Sequence, residues 1–304
     1  MGNIHRRKRK KLRELNILKF LIHLLRLLLF IIVTGLILTT LFFLLIFRRN
    51  YFFDKPINSV LAYKDGIVIV SFDPSFDQLL IINVDGNINV VVSGGLGNYP
   101  LKSIYELSLN EKQGESLFKK SIMRNLHLPV YNVIDCRESL MDKLSIKKII
   151  LSCRRKSDIF DLIYLIYTKW KSANNVTEKN LSDYGMHKTD VSGLIYLLDE
   201  EIFNKLELDF SQNMEISDIV SVTLVTKEGS NLPLFVNDII KILGGRVVRK
   251  ENDDATQNIV NTCKIIGNDA VFLKNIQKIF NCKTKFSKDG ETMLYFNSSY
   301  LETF

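Results

Sequence analysis

The feature that most constrains this chain is an uncharged apolar run of 21 residues, Leu27–Phe47. A helix of about 20 apolar residues spans the hydrocarbon core of a bilayer, so the run predicts a single transmembrane helix at 27–47. Seven Lys and Arg residues cluster between Arg6 and Arg13, and two arginines follow the run directly. Because the more cationic flank stays in the cytoplasm, residues 1–26 are expected to be a cytoplasmic tail and residues 48–304 to lie outside the membrane.

Two alternatives for the N-terminal segment remain open. A cleaved signal peptide has a shorter apolar core, of about 7–15 residues, and a small-residue cleavage site, whereas this run ends in Phe and Arg. Residues 12–26 also fit an amphipathic helix lying on the inner leaflet, where the basic cluster would meet anionic headgroups. The simpler interpretation of that cluster is a stop signal that fixes the topology.

The positive charge of the chain belongs to its tail. The formal net charge is +8, but residues 1–50 hold 11 Lys and Arg and one acid. The rest of the chain holds 30 Lys and Arg against 32 Asp and Glu. A uniform basic face on the folded part is therefore not expected, which argues against a nucleic-acid partner.

The part that follows the membrane segment alternates strand and helix patterns. The predicted elements are strands at 67–72, 78–84, 88–92 and 147–153, helices at 102–126 and 158–170, a glycine-rich loop at 93–101 and a polar surface loop at 171–190. Trp170 and the tyrosines of 164–167 lie at helical spacings typical of core packing. We predict an α/β domain at 51–192, followed by a mixed, acidic linker at 193–216.

The last ninety residues predict a second, smaller unit at 217–304. Its elements follow the order β-α-β-β-α-β, at 218–226, 232–243, 246–250, 259–267, 270–280 and 291–296. Gly244 and Gly245 end the first helix as C-cap residues do, and Asn268 or Asp269 caps the second. The fold class is therefore α/β (α+β), with an N-terminal transmembrane helix, a truncated α/β domain and a small C-terminal domain.

The four cysteines form two sequence-local pairs. Cys136 and Cys153 are 17 residues apart, and Cys263 and Cys282 are 19 residues apart. A space outside the cytoplasm permits disulfides, and the close Cys pair with neighbouring histidines that zinc requires is absent from the sequence. Two local disulfides are expected, with buried free thiols as the alternative.

The C-terminal unit resembles the LytR C-terminal domain. That family opens with a strand of alternating Val, then a Gly-Leu-Ala segment that begins a helix, then a Gly and a strand ending in Val. Here residues 220–225 supply the strand, Asn231-Leu232-Pro233 stands at the Gly-Leu-Ala position, and Gly244 and Val247 follow without a gap. The pattern departs at Val225, where the family has Asn, and in the two loop glycines.

The preceding region resembles the start of the LytR/CpsA/Psr domain. Members carry a Ser-Asp-Thr strand running into Asn-Pro, then Ser-Ile-Pro-Arg-Asp-Thr on the next strand. Here Asp65 falls on the first acidic position, Gly86 on the arginine and Asn87 on the second aspartate. The two resemblances cover roughly 57–135 and 217–304.

The resemblance implies a defined chemistry, which this chain meets only in part. Active members transfer a glycopolymer from a polyprenyl-diphosphate carrier to peptidoglycan, and arginine forks with a carboxylate-held divalent metal would stabilise the phosphate charge. Asp65 is the remaining candidate for catalysis or metal binding. Arg154 and Arg155 form, with Lys156, a compact basic cluster that either meets a diphosphate or is a solvated strand end.

The sequence therefore favours a membrane-anchored extracytoplasmic cell-envelope protein, a non-catalytic binding or assembly module. Its expected partners are the lipid bilayer and a cell-wall polymer or envelope assembly protein, with no nucleic acid and no cofactor. The alternative is an active glycopolymer phosphotransferase that uses Asp65 and Mg²⁺. A scaffold of the division machinery without any ligand is a third class.

The orientation gives the first testable prediction. Protease added to intact cells should digest residues 48–304 and leave the tail at 1–26 protected, because the cationic cluster holds the tail in the cytoplasm. A single cysteine placed in the tail should react with a membrane-impermeant thiol reagent after cell lysis and not before it. Protection of the C-terminal part in intact cells would reverse the topology.

Overall fold

The computed structural model divides the chain into two compact units, Met1–Tyr51 and Phe52–Phe304. The residues it describes are 23–41, 57–74, 76–137, 153, 159–184, 188–189, 195–196, 205–206, 209–210, 219–226, 233–252, 263–288, 290–297 and 300.

The first unit contains helix α1, His23–Leu41, whose 19 residues are long and apolar enough to cross a membrane. The helix begins four residues before the predicted span at 27–47, and residues 42–47 lie outside the described residues. Its hydroxyl groups are satisfied internally: Thr39 Oγ1 donates to the Gly35 carbonyl and Thr40 Oγ1 to the Leu36 carbonyl, both at 2.9 Å. Internal satisfaction of polar groups is what a segment in hydrocarbon requires.

The second unit is built around a five-stranded sheet in the order β6-β1-β2-β3-β7. Strands β1, β2 and β3 form an antiparallel meander, whereas β6 runs parallel to β1 and β7 parallel to β3. Every residue of the central strand β2 is buried, so both faces of the sheet are covered. The strands are β1 Ile57–Ala62, β2 Gly66–Asp73, β3 Gln78–Asp85, β6 Asn132–Asp135 and β7 Val176–Asn180.

A second, smaller sheet has the order β5-β4-β9-β8. The strand predicted at 88–92 is confirmed as β4, Ile88–Val92, and it pairs with β5, Gly97–Pro100, and with short strands β8, Lys188–Thr189, and β9, Ile195–Tyr196. The prediction of a loop throughout 93–101 is wrong, because the segment forms a single 3₁₀ turn and then β5. Residues within 171–190 likewise supply β7 and β8 rather than only a loop.

The single helix predicted at 102–126 is two helices. Helix α2, Leu101–Asn110, and helix α3, Glu115–Leu126, are separated at Gly114, whose φ of 57° suits a residue without a Cβ. Helix α4, Ile159–Lys171, confirms the next prediction. Tyr164 on α4 is buried as expected, but Trp170 is 72% exposed, so its assignment to the core is wrong.

The third sheet forms the C-terminal part, in the order β11-β10-β14-β12-β13. Its elements are β10 Val220–Thr226, α5 Leu234–Ile242, β11 Gly245–Asn252, β12 Cys263–Gly267, α6 Ala270–Phe280, β13 Lys283–Phe286 and β14 Thr292–Phe296. The predicted order β-α-β-β-α-β is confirmed, with one addition. Strand β13 escaped prediction because it is an exposed edge strand without apolar alternation.

An N-cap residue begins helix α6, and an aromatic pair packs the end of this helix against strand β14. Asp269 is the N-cap of α6, and its Oδ1 accepts a hydrogen bond from the Phe272 backbone N–H at 2.7 Å. Phe280 and Phe296 pack edge to face, with ring centroids 5.6 Å apart. The aromatic side chains of α6 and β14 therefore join the helix to its sheet.

Cysteine pairs lie at the ends of strands in both parts. Cys136 is bonded to Cys153, and Cys263 to Cys282, and all four side chains are buried. These are the pairings expected from the sequence spacing. Of the strand predicted at 147–153, only Cys153 lies among the described residues.

The described residues of 193–216 contact the first part of the unit. Asp209 Oδ2 accepts from Lys179 Nζ at 2.6 Å and from the Tyr184 hydroxyl at 2.5 Å. Burial and this carboxylate raise the pKa of Tyr184. The acidic segment predicted as a linker therefore has an anchor point on strand β7 and the turn that follows it.

Removal of the C-terminal disulfide should lower stability without changing the fold. In the chain-entropy model, a loop closed by cysteines 19 positions apart contributes about 3 kcal/mol. We expect Cys263→Ser/Cys282→Ser to unfold at lower denaturant concentration, with an unchanged circular dichroism spectrum. Peptide mapping of the unreduced protein should recover the two linked pairs, and free, alkylated thiols at these positions would contradict the assignment.

Candidate functional site

The site predicted from sequence centres on Asp65, which lies in the turn between β1 and β2. The Tyr63 backbone N–H donates to the Gly66 carbonyl at 2.9 Å and closes this turn. Asp65 is partly exposed, and Tyr63 beside it is buried. Burial, with the Asp65 carboxylate as a second cause, raises the pKa of Tyr63 to about 12. The turn therefore holds a partly exposed aspartate near a buried, un-ionised tyrosine.

The backbone of Gly86 packs against this turn and is hydrogen-bonded to it. Its N–H donates to the Asp65 carbonyl, and its own carbonyl accepts from the Lys102 N–H, both at 3.0 Å. A Cβ at position 86 would lie 2.3 Å from the Asp65 carbonyl oxygen and 2.7 Å from the Lys102 Cβ. No side chain fits such distances. The position that aligns with the family's arginine therefore cannot hold an arginine in this backbone arrangement.

Asn87, which stands at the second aspartate position, belongs to a local surface network. Its side-chain oxygen accepts from Lys102 Nζ at 2.7 Å, and its backbone N–H donates to Asp85 Oδ1 at 2.8 Å. The second hydrogen bond is the Asx-turn pattern of a tight connection between strands. Asn87 is exposed. Its contacts are those of a turn residue that fixes the start of α2.

Arg137 is a residue that the sequence analysis missed. The parallel pairing of β1 with β6 sets Asp135 opposite Ala62, at the sheet end that carries the Asp65 turn. Arg137 Nε and Nη2 donate to the two carboxylate oxygens of Asp135, each at 3.0 Å, and its guanidinium carbon lies 4.5 Å from the centre of the Tyr105 ring. The hydrogen bonds to Asp135 raise the pKa of Arg137.

The charge of Arg137 is therefore balanced within the protein. Its side chain is 15% exposed, and Glu106 Oε1 lies 3.5 Å from its Nη1. A bidentate carboxylate partner occupies the donors that would otherwise grip a phosphate. Its sequence signal was a weak one, an arginine two residues after the aspartate that ends strand β6.

The other predicted site residues, Arg154 and Arg155, lie outside the described residues. Within the described ranges, no three His, Cys, Asp or Glu side chains are close enough together to hold a metal ion. Asp65 thus has no carboxylate cluster around it in that part of the chain. The groups available for chemistry around this turn are the Asp65 carboxylate and the hydrogen-bonded side chains of Lys102 and Asn87.

Comparison with known proteins gives similarity at the level of structure alone. No family model and no curated protein matches the sequence. Among solved structures, the chain is similar to Lmo1026 of Listeria monocytogenes, named as a transcriptional factor, at 10% identity and a TM-score of 0.36. That match covers 54% of this chain and 99% of the other.

Two further neighbours come from Bacillus subtilis. TagV is 10% identical with a TM-score of 0.36, over 50% of this chain and 94% of its own. TagT, a LytR-CPS2A-psr family protein solved with octaprenyl pyrophosphate, is 13% identical with a TM-score of 0.32, over 52% and 91%. The solved structures similar to this chain thus include members of the family that the sequence pattern resembles. At these scores the likeness says nothing of activity.

Substitution at Gly86 tests the close backbone contact. Gly86→Ala should lower the free energy of unfolding by about 1–3 kcal/mol, because the added methyl must push apart two backbone segments. The measurement is chemical denaturation of the detergent-solubilised chain. The matched control, Asn87→Ala, loses one exposed hydrogen bond and should change stability by no more than about 0.5 kcal/mol. Equal stability of Gly86→Ala and wild type would contradict the contact.

Proposed function

We propose that this chain is a membrane-anchored, extracytoplasmic protein of the cell envelope and a divergent LytR/CpsA/Psr-like module. It is a binding or assembly module and does not transfer a glycopolymer. The anchor is α1, supported by its length, its apolar composition and its internally bonded hydroxyls. The cationic tail before it supports a cytoplasmic N-terminus. The partners are the bilayer and a cell-wall polymer or an envelope assembly protein.

The observation that carries the non-catalytic proposal is the backbone contact at Gly86. Transfer from a diphosphate carrier builds charge on phosphate oxygens, and preorganised arginines or a metal are what stabilise that charge. Here the aligned arginine position is filled by main chain, and Arg137 is bound to Asp135. Loss of one such donor costs about 10²–10³ in rate in enzymes that depend on it.

One observation favours the second candidate, a glycopolymer phosphotransferase. Asp65 falls on the family's first acidic position and is accessible in the β1–β2 turn. In that case Mg²⁺ would be the cofactor, with Asp65 as one of its ligands. The two candidates differ in a single measurable property, turnover of a lipid-linked donor.

The deciding experiment is a turnover assay on the full chain in detergent. A polyprenyl-diphosphate-linked saccharide is supplied with Mg²⁺ or Mn²⁺ and a peptidoglycan acceptor, and release of polyprenyl diphosphate or phosphate is measured. We expect no release above that of the uncatalysed reaction. Turnover that disappears in Asp65→Ala and persists in the control Glu251→Ala, a carboxylate on strand β11, would replace the proposal with the transferase.

A further inference from the structure

Strand β1 enters the first sheet at the end that lies opposite the Asp65 turn. Ile57 of β1 pairs with Phe72 of β2, and Phe72 pairs in turn with Leu79 of β3. Leu79 pairs with Val176 of β7, so one row of residues crosses this end of the sheet. The β2–β3 turn and the connection from α4 to β7 therefore lie at the same sheet end as the start of β1, which we call the entry end.

The entry end exposes two large aromatic side chains. Trp170, in the last turn of α4, is 72% exposed, and Phe76, in the β2–β3 turn, is 55% exposed. Val176, the first residue of β7, adds a third exposed apolar side chain. Single exposed apolar residues are common on protein surfaces, whereas several that lie together mark an interaction site.

Polar contacts join the segments that carry these side chains. Lys171 Nζ lies 2.6 Å from Asp77 Oδ1, and the Asn175 side-chain amide donates to the Phe76 carbonyl at 3.2 Å. Trp170 precedes Lys171 and Phe76 precedes Asp77, so the ion pair connects the end of α4 to the β2–β3 turn. The two charges of this pair neutralise each other. The aromatic residues of both segments therefore belong to one surface.

The length of the connecting chain keeps a bilayer within reach of this surface. Residues 48–56 connect the predicted span at 27–47 to β1, which begins at Ile57. Nine residues, the number from 48 to 56, reach about 30 Å when fully extended. The proposed anchor therefore limits the distance between the entry end and the membrane to about 30 Å.

The exposed side chains suit the interfacial region of a bilayer. Tryptophan and tyrosine are enriched there, because their rings are apolar and their N–H or O–H group can stay in contact with water. The Tyr167 ring lies beside that of Trp170, with the ring centres 6.5 Å apart. Phe76 and Val176 supply further apolar surface for burial against lipid.

We propose that the entry end, defined by Phe76, Trp170 and Val176, contacts the interfacial region of the membrane in which the chain is anchored. The inference rests on the proposed membrane anchor and adds a second, non-covalent contact with the same bilayer. The six residues of β1 separate the entry end from the Asp65 turn and span about 20 Å. Docking of the entry end therefore turns Asp65 away from the lipid and toward the envelope.

The natural fluorescence of the chain tests this contact, because Trp170 is its one tryptophan. The full chain is reconstituted into dioleoylphosphatidylcholine vesicles and into vesicles of phosphatidylcholine brominated near the headgroup or near the acyl-chain end. We expect brominated lipid to lower Trp170 emission, more strongly with bromine near the headgroup, because interfacial tryptophan lies at headgroup level. Equal emission in all three vesicles would overturn the proposal, and emission at short wavelength without quenching would identify a protein segment as the cover.

Moving the tryptophan provides the matched control. Trp170→Phe/Lys64→Trp carries its one tryptophan in the Asp65 turn, where Lys64 is exposed. Its emission should be the same in brominated and unbrominated vesicles, because this turn lies at the opposite end of the sheet. Quenching as strong as that of Trp170 would contradict the proposed orientation.

A charge at the entry end should weaken the contact. Phe76→Glu should reduce the quenching of Trp170, because a carboxylate must lose water to approach the acyl chains. Phe286→Glu, at an exposed aromatic position on strand β13, should be quenched as wild type is. Circular dichroism verifies that each variant is folded. Equal quenching in the two variants would overturn the assignment of the contact to the entry end.

Flotation of the vesicles separates this inference from the anchor on which it rests. A chain that floats with the vesicles, but whose Trp170 emission is not quenched, retains the anchor and overturns the docking surface. A chain that does not float overturns both. Neither result depends on the outcome of the turnover assay.

Discussion

The contact between Gly86 and the Asp65 turn is the constraint on which the candidate site depends. One residue without a side chain supplies both its N–H and its carbonyl, and so joins the β1–β2 turn, the β3–β4 turn and the start of α2. A buried backbone group must find a partner, and here the partners are other backbone groups. At this end of the sheet, backbone atoms of Asp65 therefore occupy the space that an arginine side chain at position 86 would need.

Among the described residues, helix α3 contacts both parts of the second unit. Its inward residues, Leu117, Phe118 and Ile122 among them, are fully buried. At its C-terminal end, His127 Nδ1 lies 2.6 Å from Asp238 Oδ2 on α5. Lys119, two turns earlier, reaches the α6 backbone. Polar contacts at two places along α3 therefore join this helix to the C-terminal part.

Much of this architecture followed from the sequence, because periodicity and cysteine spacing are local properties. The apolar strands β2, β3 and β4, the helix N-cap Asp269 and the C-terminal element order were all predictable. The edge strands β7 and β13 were not, because their exposed residues have no apolar alternation. Trp170 shows the converse error, since an aromatic at a core-like spacing is exposed. The sequence could align Gly86 with the arginine of the family pattern, but it could not explain the glycine. The explanation is the close approach of Gly86 to Asp65 and Lys102, which lie 21 and 16 positions away in the sequence.

Strand β6 has different partners at its two ends. Asn132, at its start, faces α3 and α6 across a cavity, whereas Asp135, at its end, lies opposite Ala62 at the sheet end that carries the Asp65 turn. Asp135 holds Arg137 with two hydrogen bonds, so this guanidinium is neutralised by a carboxylate of the same sheet end. An arginine that is held in this way cannot turn its paired donors to another anion without leaving the buried Asp135 carboxylate unpaired, and an unpaired buried charge is costly.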